Sequence, residues 1–358
     1  MSEKPTLITG GCGFVGRHLT RALLGRGVRE IWIVDNLALP SGRPPSEWLF
    51  SGWIATKRGD AEYFTKDDRQ IVFLKIDAIT LFNAEVAGES SVLPDFGDVF
   101  HLASIVGGRL LIDGDPLLVA TDLGIDAAFF LWVSRYPKKV ERVLYASSSA
   151  AYPTHLQGAG GAVALKEEMI DFSSGKLGQP DMTYGWSKLT GEYLSRLAHE
   201  KYGIHVSCVR PFSGFGEDQD LTYPTPSIAL RVARGDDPVE VWGSGQQARD
   251  FVHIDDCIDA FFAIMDKVSD GSGVNIGTGV PTSFNALIKK MLALEGRNAT
   301  IKPLSDKPVG VSTRYADTTL LNSHIDWKPT MSLEEGLKKV LDGARARLAG
   351  TDLPFTIV

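Results

Sequence analysis

Three residues whose types suit acid-base chemistry stand at two places along the chain. Ser148 lies in the run Ser147-Ser148-Ser149, and Tyr184 and Lys188 follow 36 and 40 residues later. Residues four apart share one face of a helix, so the Lys188 ammonium can lower the pKa of the Tyr184 phenol. A phenolate formed near neutral pH can remove the proton of a substrate hydroxyl, and Ser148 can hydrogen-bond the same oxygen. The pattern indicates oxidation of an alcohol.

The N-terminal segment has the spacing of a dinucleotide site. Gly10, Gly13 and Gly16 follow the first apolar run as GxxGxxG, where a tight turn and a helix N-terminus can approach a pyrophosphate. The second apolar run ends in Asp35, 19 residues after Gly16, where a carboxylate can bind the adenosine ribose hydroxyls. Asp35 repels a 2′-phosphate and no basic residue follows before Arg43, so the sequence favours NAD over NADP. The nicotinium charge of bound NAD would further lower the phenol pKa.

Apolar, β-branched runs alternate with segments of helical length through the first two thirds of the chain. Because near-continuous apolar strands separated by helices are typical of a parallel sheet covered on both faces, we predict a Rossmann-type doubly wound α/β fold. Between residues 38 and 69 the pattern gives way to Pro- and Gly-rich sequence, which we interpret as an excursion off the sheet edge. The predicted strands are Thr6–Thr9, Ile31–Val34, Ile71–Leu74, Val99–Leu102, Val143–Ala146 and Val206–Val209.

A smaller, mixed α/β C-terminal lobe is expected to bind the substrate. From Asp218 the chain shows short runs at Val239–Trp242 and Val274–Ile276 and a helical pattern over 284–294. These elements are too fragmented for an independent domain, so we predict that they cover the carboxyl ends of the sheet strands. The expected division is a NAD-binding Rossmann domain over 1–175 with parts of 204–216 and 250–266, a catalytic helix region over 176–203, and the lobe over 217–249 and 267–358.

Composition and charge exclude several classes of protein. The 358 residues carry 37 Lys and Arg against 44 Asp and Glu, a formal charge of -7, and no basic run suggests nucleic acid as a partner. No apolar stretch is expected to span a membrane, and the N-terminus lacks a secretory signal. Cys12, Cys208 and Cys257 are scattered without metal-ligand spacing, so we expect buried thiols, no metal and a cytoplasmic location.

Further motifs accompany these residues over nearly the whole chain. They are Thr9–Gly16, Asp35, His101-Leu102-Ala103, Ser148 with Tyr152, Tyr184–Lys188, Arg210-Pro211-Phe212, Gly243-Ser244-Gly245, Arg249–Asp256, Asn275-Ile276-Gly277, Arg314–Asp317 and Trp327-Lys328-Pro329. Together they resemble the extended short-chain dehydrogenase/reductase family, in particular its nucleotide-sugar epimerases and dehydratases. The resemblance implies bound NAD, a nucleotide-diphosphate sugar as substrate, a transient keto sugar, and a homodimer built through paired helices.

The resemblance also implies a role for each matching residue. Ser148, Tyr184 and Lys188 would form the catalytic triad, and Arg249 and Arg314 would clamp the diphosphate, which suits a guanidinium group. The residues expected to bind NAD are Gly10, Gly13, Phe14, Val15, Gly16, Asp35, Asn36, Asp77, Ala78, Leu102, Ala103, Ser104, Tyr184, Lys188 and Pro211. The residues expected to bind the substrate are Val106, Gly107, Gly108, Ser149, Ser213, Arg249 and Arg314.

Two positions beside Ser148 bear on the reaction. Val106-Gly107-Gly108 looks like the substrate loop of the GDP-mannose 3,5-epimerase and GDP-fucose synthase branches, but those branches carry Cys where this chain has Ala150. The family's dehydratases place Asp and Glu where this chain has Ser149 and Ala150. C4 epimerisation needs neither group, only the tyrosine and a 4-keto sugar that rotates before hydride returns from bound NADH, and it is the leading hypothesis. A GDP-mannose 3,5-epimerase-like or 4,6-dehydratase-like enzyme is the alternative, and a non-catalytic NAD-sensing scaffold is a third reading.

Several other residues leave two interpretations open. Asp77 can hydrogen-bond the adenine or cap a turn, and the acidic run Glu217–Pro224 can select the nucleobase or form a solvated loop. Arg231 is interpreted as part of the polar face of a helix. Ser213 stands where most family members carry Asn, and Asp122 or a neighbour occupies the usual Asn of the helix after the fourth strand, so the substrate is expected to be unusual.

Overall fold

The computed structural model describes residues 4–49, 52–158, 162–175 and 177–351. The remaining residues fall within the expected ranges 1–175, 176–203 and 267–358, and they lie outside the described part. The strands are Thr6–Thr9 (β1), Glu30–Asp35 (β2), Ile54–Arg58 (β3), Ala61–Lys66 (β4), Arg69–Lys75 (β5), Phe96–His101 (β6), Val140–Ala146 (β7), His205–Pro211 (β8), Ser213–Phe215 (β9), Val239–Trp242 (β10), Ala248–His253 (β11), Asp270–Ile276 (β12), Pro281–Ser283 (β13), Ile301–Leu304 (β14) and Thr313–Arg314 (β15).

Helices connect these strands on both faces of the main sheet and build the smaller lobe. They are Phe14–Gly25 (α1), Ala78–Ala87 (α2), Arg109–Gly114 (α3), Pro116–Val119 (α4), Asp122–Arg135 (α5), Met182–Tyr202 (α6), Pro224–Arg234 (α7), Ile254–Met265 (α8), Phe284–Leu294 (α9), Thr319–His324 (α10) and Leu333–Leu348 (α11).

The main sheet has nine strands in the order β12-β8-β7-β6-β1-β2-β5-β4-β3. Every neighbouring pair from β12 to β5 is parallel, whereas β4 and β3 add an antiparallel hairpin beyond β5. The prediction of a doubly wound parallel sheet is confirmed. The excursion expected between residues 38 and 69 contains this hairpin, which extends the sheet at its edge.

Alternate residues of the parallel strands pack into two separate cores. On one face, Ile8 and Ile33 join Leu19 of α1 and Phe261 of α8. On the other face, Leu7, Val72 and Val143 join Phe82 of α2 and Phe129 and Trp132 of α5. Because side chains alternate along a strand, the apolar runs read from the sequence supply both cores at once.

The smaller lobe has a core of its own. Helices α7, α9 and α11 pack around the parallel pair β10 and β14 and the sheet β13-β11-β15, with buried residues such as Val232, Leu287 and Leu337. Strand β12 lies in the range 267–358 that we expected in this lobe, yet it pairs with β8 at the edge of the main sheet. Its sequence, with Gly271 and Gly273, does not show the apolar run typical of a sheet strand.

One segment departs from the expectation about membranes. Residues Pro116–Arg135 have a mean hydropathy of 1.6 and are long and apolar enough to cross a bilayer, so the expectation of no such stretch is wrong by length and composition. Half of this segment is buried in the fold, where Phe129 and Trp132 pack against the sheet. A buried core helix can be equally long and apolar, and α5 packs against the main sheet as such a helix.

Candidate active site

The glycine turn after β1 brings backbone and helix into close contact. Gly10 has a φ of 72°, and a Cβ there would lie 2.8 Å from backbone atoms of Ala103. A Cβ on Gly16 would lie 2.5 Å from the Cα of Gly11, so α1 packs tightly against the turn. Gly13 is the N-cap of α1, and within 4 Å its Cβ would meet only the Gly10 carbonyl oxygen, at 3.3 Å. The turn therefore leaves backbone room at the helix N-terminus for a phosphate group.

Asp35 ends β2 beside this turn. Its carboxylate oxygens accept the backbone N–H of Cys12 at 3.0 Å and of Leu37 at 2.8 Å. Burial raises the pKa of Asp35 above its ordinary value, and the two backbone donors oppose that shift. Asp77 accepts the Thr80 N–H at 3.1 Å as the N-cap of α2, which is the capping alternative left open above.

The three residues of the expected triad come from β7 and α6. Ser148 follows β7 and accepts the Ala150 N–H at 3.1 Å, while Tyr184 and Lys188 lie in the first two turns of α6. The Lys188 Nζ lies 5.8 Å from the centroid of the Tyr184 ring. Burial raises the pKa of Tyr184 above its ordinary value and Asp122 adds to the rise, while a hydrogen bond with Ser148 lowers it. The protein alone therefore holds a neutral phenol, so the predicted lowering needs added positive charge.

Asp122 lies behind this group at the start of α5, and the sequence singled it out only as a departure from Asn. Its two carboxylate oxygens accept the Ser104 hydroxyl at 2.6 Å and the Ile105 N–H at 2.6 Å. Burial raises the pKa of Asp122 to about 6, and the neighbouring Lys188 opposes that rise. Asp122 thereby fixes the chain that leads into Val106-Gly107-Gly108.

Arg249 and Arg314 meet in the smaller lobe. Arg314 donates to the Asp181 carboxylate at 2.9 Å and to the Gln157 side-chain oxygen at 2.5 Å. Arg249 donates to backbone carbonyls, including those of Ala248 at 2.8 Å and Val309 at 3.2 Å. Burial lowers the pKa of Arg249 to about 9, and the charge of Arg314 contributes to this. Among the described residues Arg249 has no carboxylate partner.

Two charged residues at this site were missed by the sequence reasoning. Arg109, the first residue of α3, donates to both oxygens of Asp181 at 3.0 and 3.1 Å and also pairs with Asp113. Asp181 lies three residues before Tyr184. Because its carboxylate accepts hydrogen bonds from both Arg109 and Arg314, it joins these two arginines. The available signals were an arginine directly after Gly107-Gly108 and an aspartate directly before the catalytic helix.

The acidic run 217–224 is anchored at one end and covers the site at the other. Asp218 is buried and pairs with Arg17 at 2.8 Å and with His18 at 2.7 Å, so the solvated-loop alternative does not hold for this residue. Further along, a Cβ on Gly108 would lie 1.9 Å from the Thr222 carbonyl oxygen, so only glycine allows this approach. Tyr223 follows, and burial together with the nearby Tyr184 raises its pKa.

All these elements border one cavity of about 540 Å³. Every residue that the sequence analysis assigned to the cofactor, the substrate or catalysis lines it. Arg231 lines it too and donates to the Glu240 carbonyl at 2.6 Å, so it is more than the polar face of a helix. Trp242 and Tyr223 are further lining residues without a predicted role. Within the described residues, no group of three or more His, Cys, Asp or Glu side chains has an arrangement suited to a metal ion.

Comparison with known proteins gives consistent results over most of the chain. The model of the NAD-dependent epimerase/dehydratase family matches residues 6–277. The chain is 28% identical over 342 residues to GDP-mannose 3,5-epimerase 1 of Oryza sativa subsp. indica, covering 94% of this chain and 81% of that protein. It is 27% identical over 350 residues to the UDP-glucuronate 4-epimerase of Thermodesulfobacterium geofontis, covering 96% of each.

Solved structures share the fold. The UDP-glucuronic acid 4-epimerase of Bacillus cereus, in complex with UDP-glucuronic acid and NAD, superposes with a TM-score of 0.75 at 23% identity, covering 96% of this chain and 99% of that one. The UDP-glucose 4-epimerase of Thermotoga maritima, with UDP-glucose, gives a TM-score of 0.74 at 24% identity, with the same coverage. The main sheet and the smaller lobe are therefore arranged as in these proteins.

Proposed function

The chain belongs to the NAD-dependent epimerase/dehydratase family, as its motifs predicted, and from this premise we propose that it is a nucleotide-sugar 4-epimerase. One observation carries the proposal: Tyr184 and Ser148 line the same cavity as Arg249, a partly buried cation whose hydrogen bonds within the described residues all go to carbonyl oxygens. A cation that is partly removed from water is stabilised when an anion pairs with it, and the diphosphate of a sugar nucleotide would supply that anion. The attached hexose would then lie beside Tyr184.

NAD fits the residues at the N-terminal turn. Gly13 lines the cavity as the N-cap of α1, where the pyrophosphate would bind, and Asp35 lines the cavity where the adenosine ribose would bind. Bound NAD would accept hydride from C4 of the sugar and return it to the other face of the same carbon. The chain's own residues would hold the sugar and move the proton of the C4 hydroxyl.

Tyr184 is the proposed acid and base at the C4 oxygen. The phenol is neutral in the protein alone, even with Lys188 nearby, so the added positive charge of the bound cofactor would be needed for it to lose its proton. As a phenolate it would take the proton of the C4 hydroxyl, and as a phenol it would return that proton to the rotated keto sugar. Ser148, which can hydrogen-bond the Tyr184 phenol, would hold the same oxygen in place.

The neighbours of Ser148 support C4 chemistry over the alternatives. Ser149 and Ala150 are buried in a single turn of 3-10 helix, and neither side chain can act as an acid or base of useful pKa. A 4,6-dehydratase would need such groups to expel and protonate a hydroxyl. Epimerisation at C4 needs only one acid-base residue, since the same carbon loses and regains its hydrogen.

Epimerisation at C3 or C5 is the second candidate, and two observations favour it. The GDP-mannose 3,5-epimerase of rice is among the similar proteins, and Tyr223 supplies a second half-buried phenol in the cavity. However, burial keeps this phenol neutral, and a neutral phenol donates a proton more readily than it removes one from carbon. This route would therefore require a further base.

An incubation in deuterated water distinguishes these reactions. The enzyme is mixed with UDP-, GDP- and dTDP-hexoses and hexuronates, and the products are followed by proton NMR and mass spectrometry. Interconversion of C4 epimers without deuterium in the sugar is the expected result. Deuterium at C3 or C5 supports the second candidate, and loss of water supports a dehydratase. Sugars that all remain unchanged while the protein holds NAD contradict both candidates and favour the scaffold reading.

We also propose that the protein is a homodimer joined through α5 and α6. These helices pack against each other on one side of the sheet and leave large apolar side chains exposed to solvent. Leu123 and Leu131 of α5 are each 40% exposed, and Trp186 and Tyr193 of α6 are 44% and 47% exposed. An exposed apolar patch of this kind is typical of a protein interface.

The cysteines support a cytoplasmic location as a proposal. Cys12, Cys208 and Cys257 are all buried and form no disulfide. Burial raises the pKa of each thiol above its ordinary value, so all three remain protonated and unreactive. Free thiols are ordinary in a reducing compartment.

A further inference from the structure

Asp181 is a buried carboxylate for which neither the motifs nor the proposed reaction provides a role. It is 8% exposed and lies directly before α6, three residues from Tyr184. Its carboxylate accepts hydrogen bonds from Arg109 at 3.0 and 3.1 Å and from Arg314 at 2.9 Å. One side chain therefore joins the start of the catalytic helix to the substrate loop and to the expected diphosphate site.

Backbone interactions hold Asp181 in the position from which its side chain contacts the two arginines. Its N–H donates to the Ala150 carbonyl at 3.0 Å, which ties it to the turn that carries Ser148. Although Asp181 is the N-cap of α6, its side chain makes no capping hydrogen bond. The next residue, Met182, has a φ of 56°, a left-handed conformation that is unfavourable for a side chain of this kind. The Asp181 carboxylate thus binds two arginines and does not cap the N-terminus of α6.

Asp181 also restricts how Arg314 can bind an anion. The Arg314 Nη2 donates to Asp181 and its Nε donates to Gln157, which leaves Nη1 without an acceptor among the described residues. Gln157 is itself held by its Nε2, which donates to the carbonyls of Tyr152 and Pro153. The guanidinium of Arg314 is thus fixed on two sides, with one nitrogen left for a ligand in the cavity.

Asp181 stays ionised in this position. Burial alone would raise its pKa, but the charges and hydrogen bonds of Arg314 and Arg109 outweigh burial and hold the pKa below its ordinary value. The carboxylate therefore cancels part of the positive charge that a diphosphate would otherwise meet. A group that existed only to strengthen diphosphate binding would not bring a negative charge to this place.

We propose that Asp181 is a positioning residue which, through Arg314 and Arg109, fixes the bound diphosphate and the substrate loop relative to Tyr184. The inference rests on the proposed function, since it concerns how a sugar nucleotide is aligned for reaction at Tyr184. Orientation of this kind governs the reaction rate more than affinity, because a shift of about 1 Å can slow a reaction roughly 100-fold. Asp181 and Tyr184 are close in sequence, so the start of α6 transmits the position of one to the other.

The role predicts opposite effects on binding and on turnover when Asp181 is replaced by Asn. The variant loses a negative charge beside two guanidinium groups, so its affinity for UDP or GDP should be unchanged or up to about 10-fold higher. Its kcat for hexose interconversion should fall by roughly 10- to 100-fold while KM does not rise. A residue that only maintained the fold would weaken both binding and turnover together.

The experiment compares wild type, Asp181→Asn and a matched control by calorimetry with UDP and GDP, by steady-state kinetics and by thermal unfolding. The control, Asp266→Asn, removes a carboxylate from a surface pair with Arg142 that is 2.8 Å long, and should leave all three measurements unchanged. An Asp181→Asn variant with wild-type kcat, or one whose UDP and GDP affinities fall as much as kcat/KM, overturns the inference.

Two further variants keep the test decisive. If Asp181 acts through Arg314, the effect of Asp181→Asn on kcat should be several-fold smaller in an Arg314→Gln background, and full additivity overturns the inference. If Asp181→Asn does not fold because two cations lose their partner, the double variant Asp181→Asn with Arg109→Gln restores the charge balance for the same measurements. A wild type that binds UDP or GDP but interconverts no hexose overturns the proposed function, and the binding comparison still tests Asp181.

Discussion

Arg249 on β11 and Arg314 on β15 are direct register partners in a parallel strand pair, so their side chains leave the small sheet on the same face. Both line the cavity that also contains Tyr184. Arg314 shares the Asp181 carboxylate with Arg109, whereas Arg249 contacts backbone carbonyls. Three guanidinium groups, those of Arg109, Arg249 and Arg314, thus face two carboxylates, those of Asp181 and Asp113, and the excess positive charge suits a diphosphate.

Replacing either arginine should weaken binding of the nucleotide part of the substrate. Hydrogen bonds to charged groups contribute about 1.5–3 kcal/mol each, so Arg249→Gln or Arg314→Gln should weaken UDP or GDP binding by about 10- to 100-fold. Calorimetry measures the affinity, and the NAD content of the purified protein should not change. Arg234→Gln, which removes an exposed arginine paired with Asp236 on the same lobe, is the control. Equal affinities for all three variants would contradict a diphosphate clamp.

Loss of the Tyr184 hydroxyl should slow turnover strongly without affecting binding. General acid-base catalysis contributes about 100- to 10,000-fold, so Tyr184→Phe should lower kcat by a factor in that range. Tyr193→Phe removes a hydroxyl from an exposed tyrosine on the same helix and should keep wild-type kcat. Affinity for UDP and the thermal midpoint should match the wild type in both variants. A Tyr184→Phe enzyme with more than a tenth of the wild-type kcat would assign the proton transfer to another group.

Much of the site could be predicted because its signals are local in the sequence. The glycines after β1, Asp35 at the end of β2, and the pair Tyr184 and Lys188 each depend on spacing within one turn, strand or helix. Local rules of this kind fix which face a side chain occupies. The order of the parallel strands then brings their carboxyl ends together, which predicts the common cavity.

The rest of the site depends on contacts between distant segments. Asp181 meets Arg314 across 133 residues, and Asp218 meets Arg17 across 201 residues. No periodicity in the sequence marks such pairs, because a single charged residue in a loop is most often solvated. The same limit applies to β12, whose place at the sheet edge is decided by pairing with β8 and not by an apolar run of its own.

Asp122 should make stability fall as the pH rises through its titration. Burial raises its pKa from 3.8 to about 6, so the folded state binds a proton more tightly than the unfolded state. This contribution is fully present below pH 3.8 and is lost as the pH rises through about 6, a change of about 3 kcal/mol at most. Asp122→Asn removes the titration, so its unfolding free energy relative to wild type should increase between pH 4.5 and 7.5.

Chemical denaturation at several pH values measures this difference. Ser104→Ala serves as the comparison, because it keeps the carboxyl group but removes a hydrogen bond that lowers the pKa of Asp122, and so should keep or enlarge the pH dependence. A difference between Asp122→Asn and wild type that stays constant from pH 4.5 to 7.5 would show that Asp122 titrates alike in the folded and unfolded states.

Asp218 should be important for both stability and the covering loop. It is buried with Arg17 and His18, and removing one partner of a buried ion pair costs about 3–5 kcal/mol. Asp218→Asn should therefore lower the free energy of unfolding by about that amount and raise KM, since Thr222 and Tyr223 follow on the same loop. Asp259→Asn breaks an exposed pair between α8 and Arg26, the residue that follows α1, and should cost under about 1 kcal/mol. If both variants lost a similar free energy of unfolding, the buried ion pairs of Asp218 would stabilise the fold no more than an exposed pair does.

The proposed dimer can be tested on the exposed face of α5. Leu131 is 40% exposed there, on a helix that packs against α6, so Leu131→Glu would place a charge in the proposed interface. Burying an unpaired charge is costly, and the variant should be a monomer by light scattering at micromolar concentration, where the wild type is a dimer. Val280→Glu adds the same charge at a residue that is 59% exposed in the loop between β12 and β13, and it should remain a dimer. If Leu131→Glu keeps the wild-type mass, the subunits associate through another surface or do not associate.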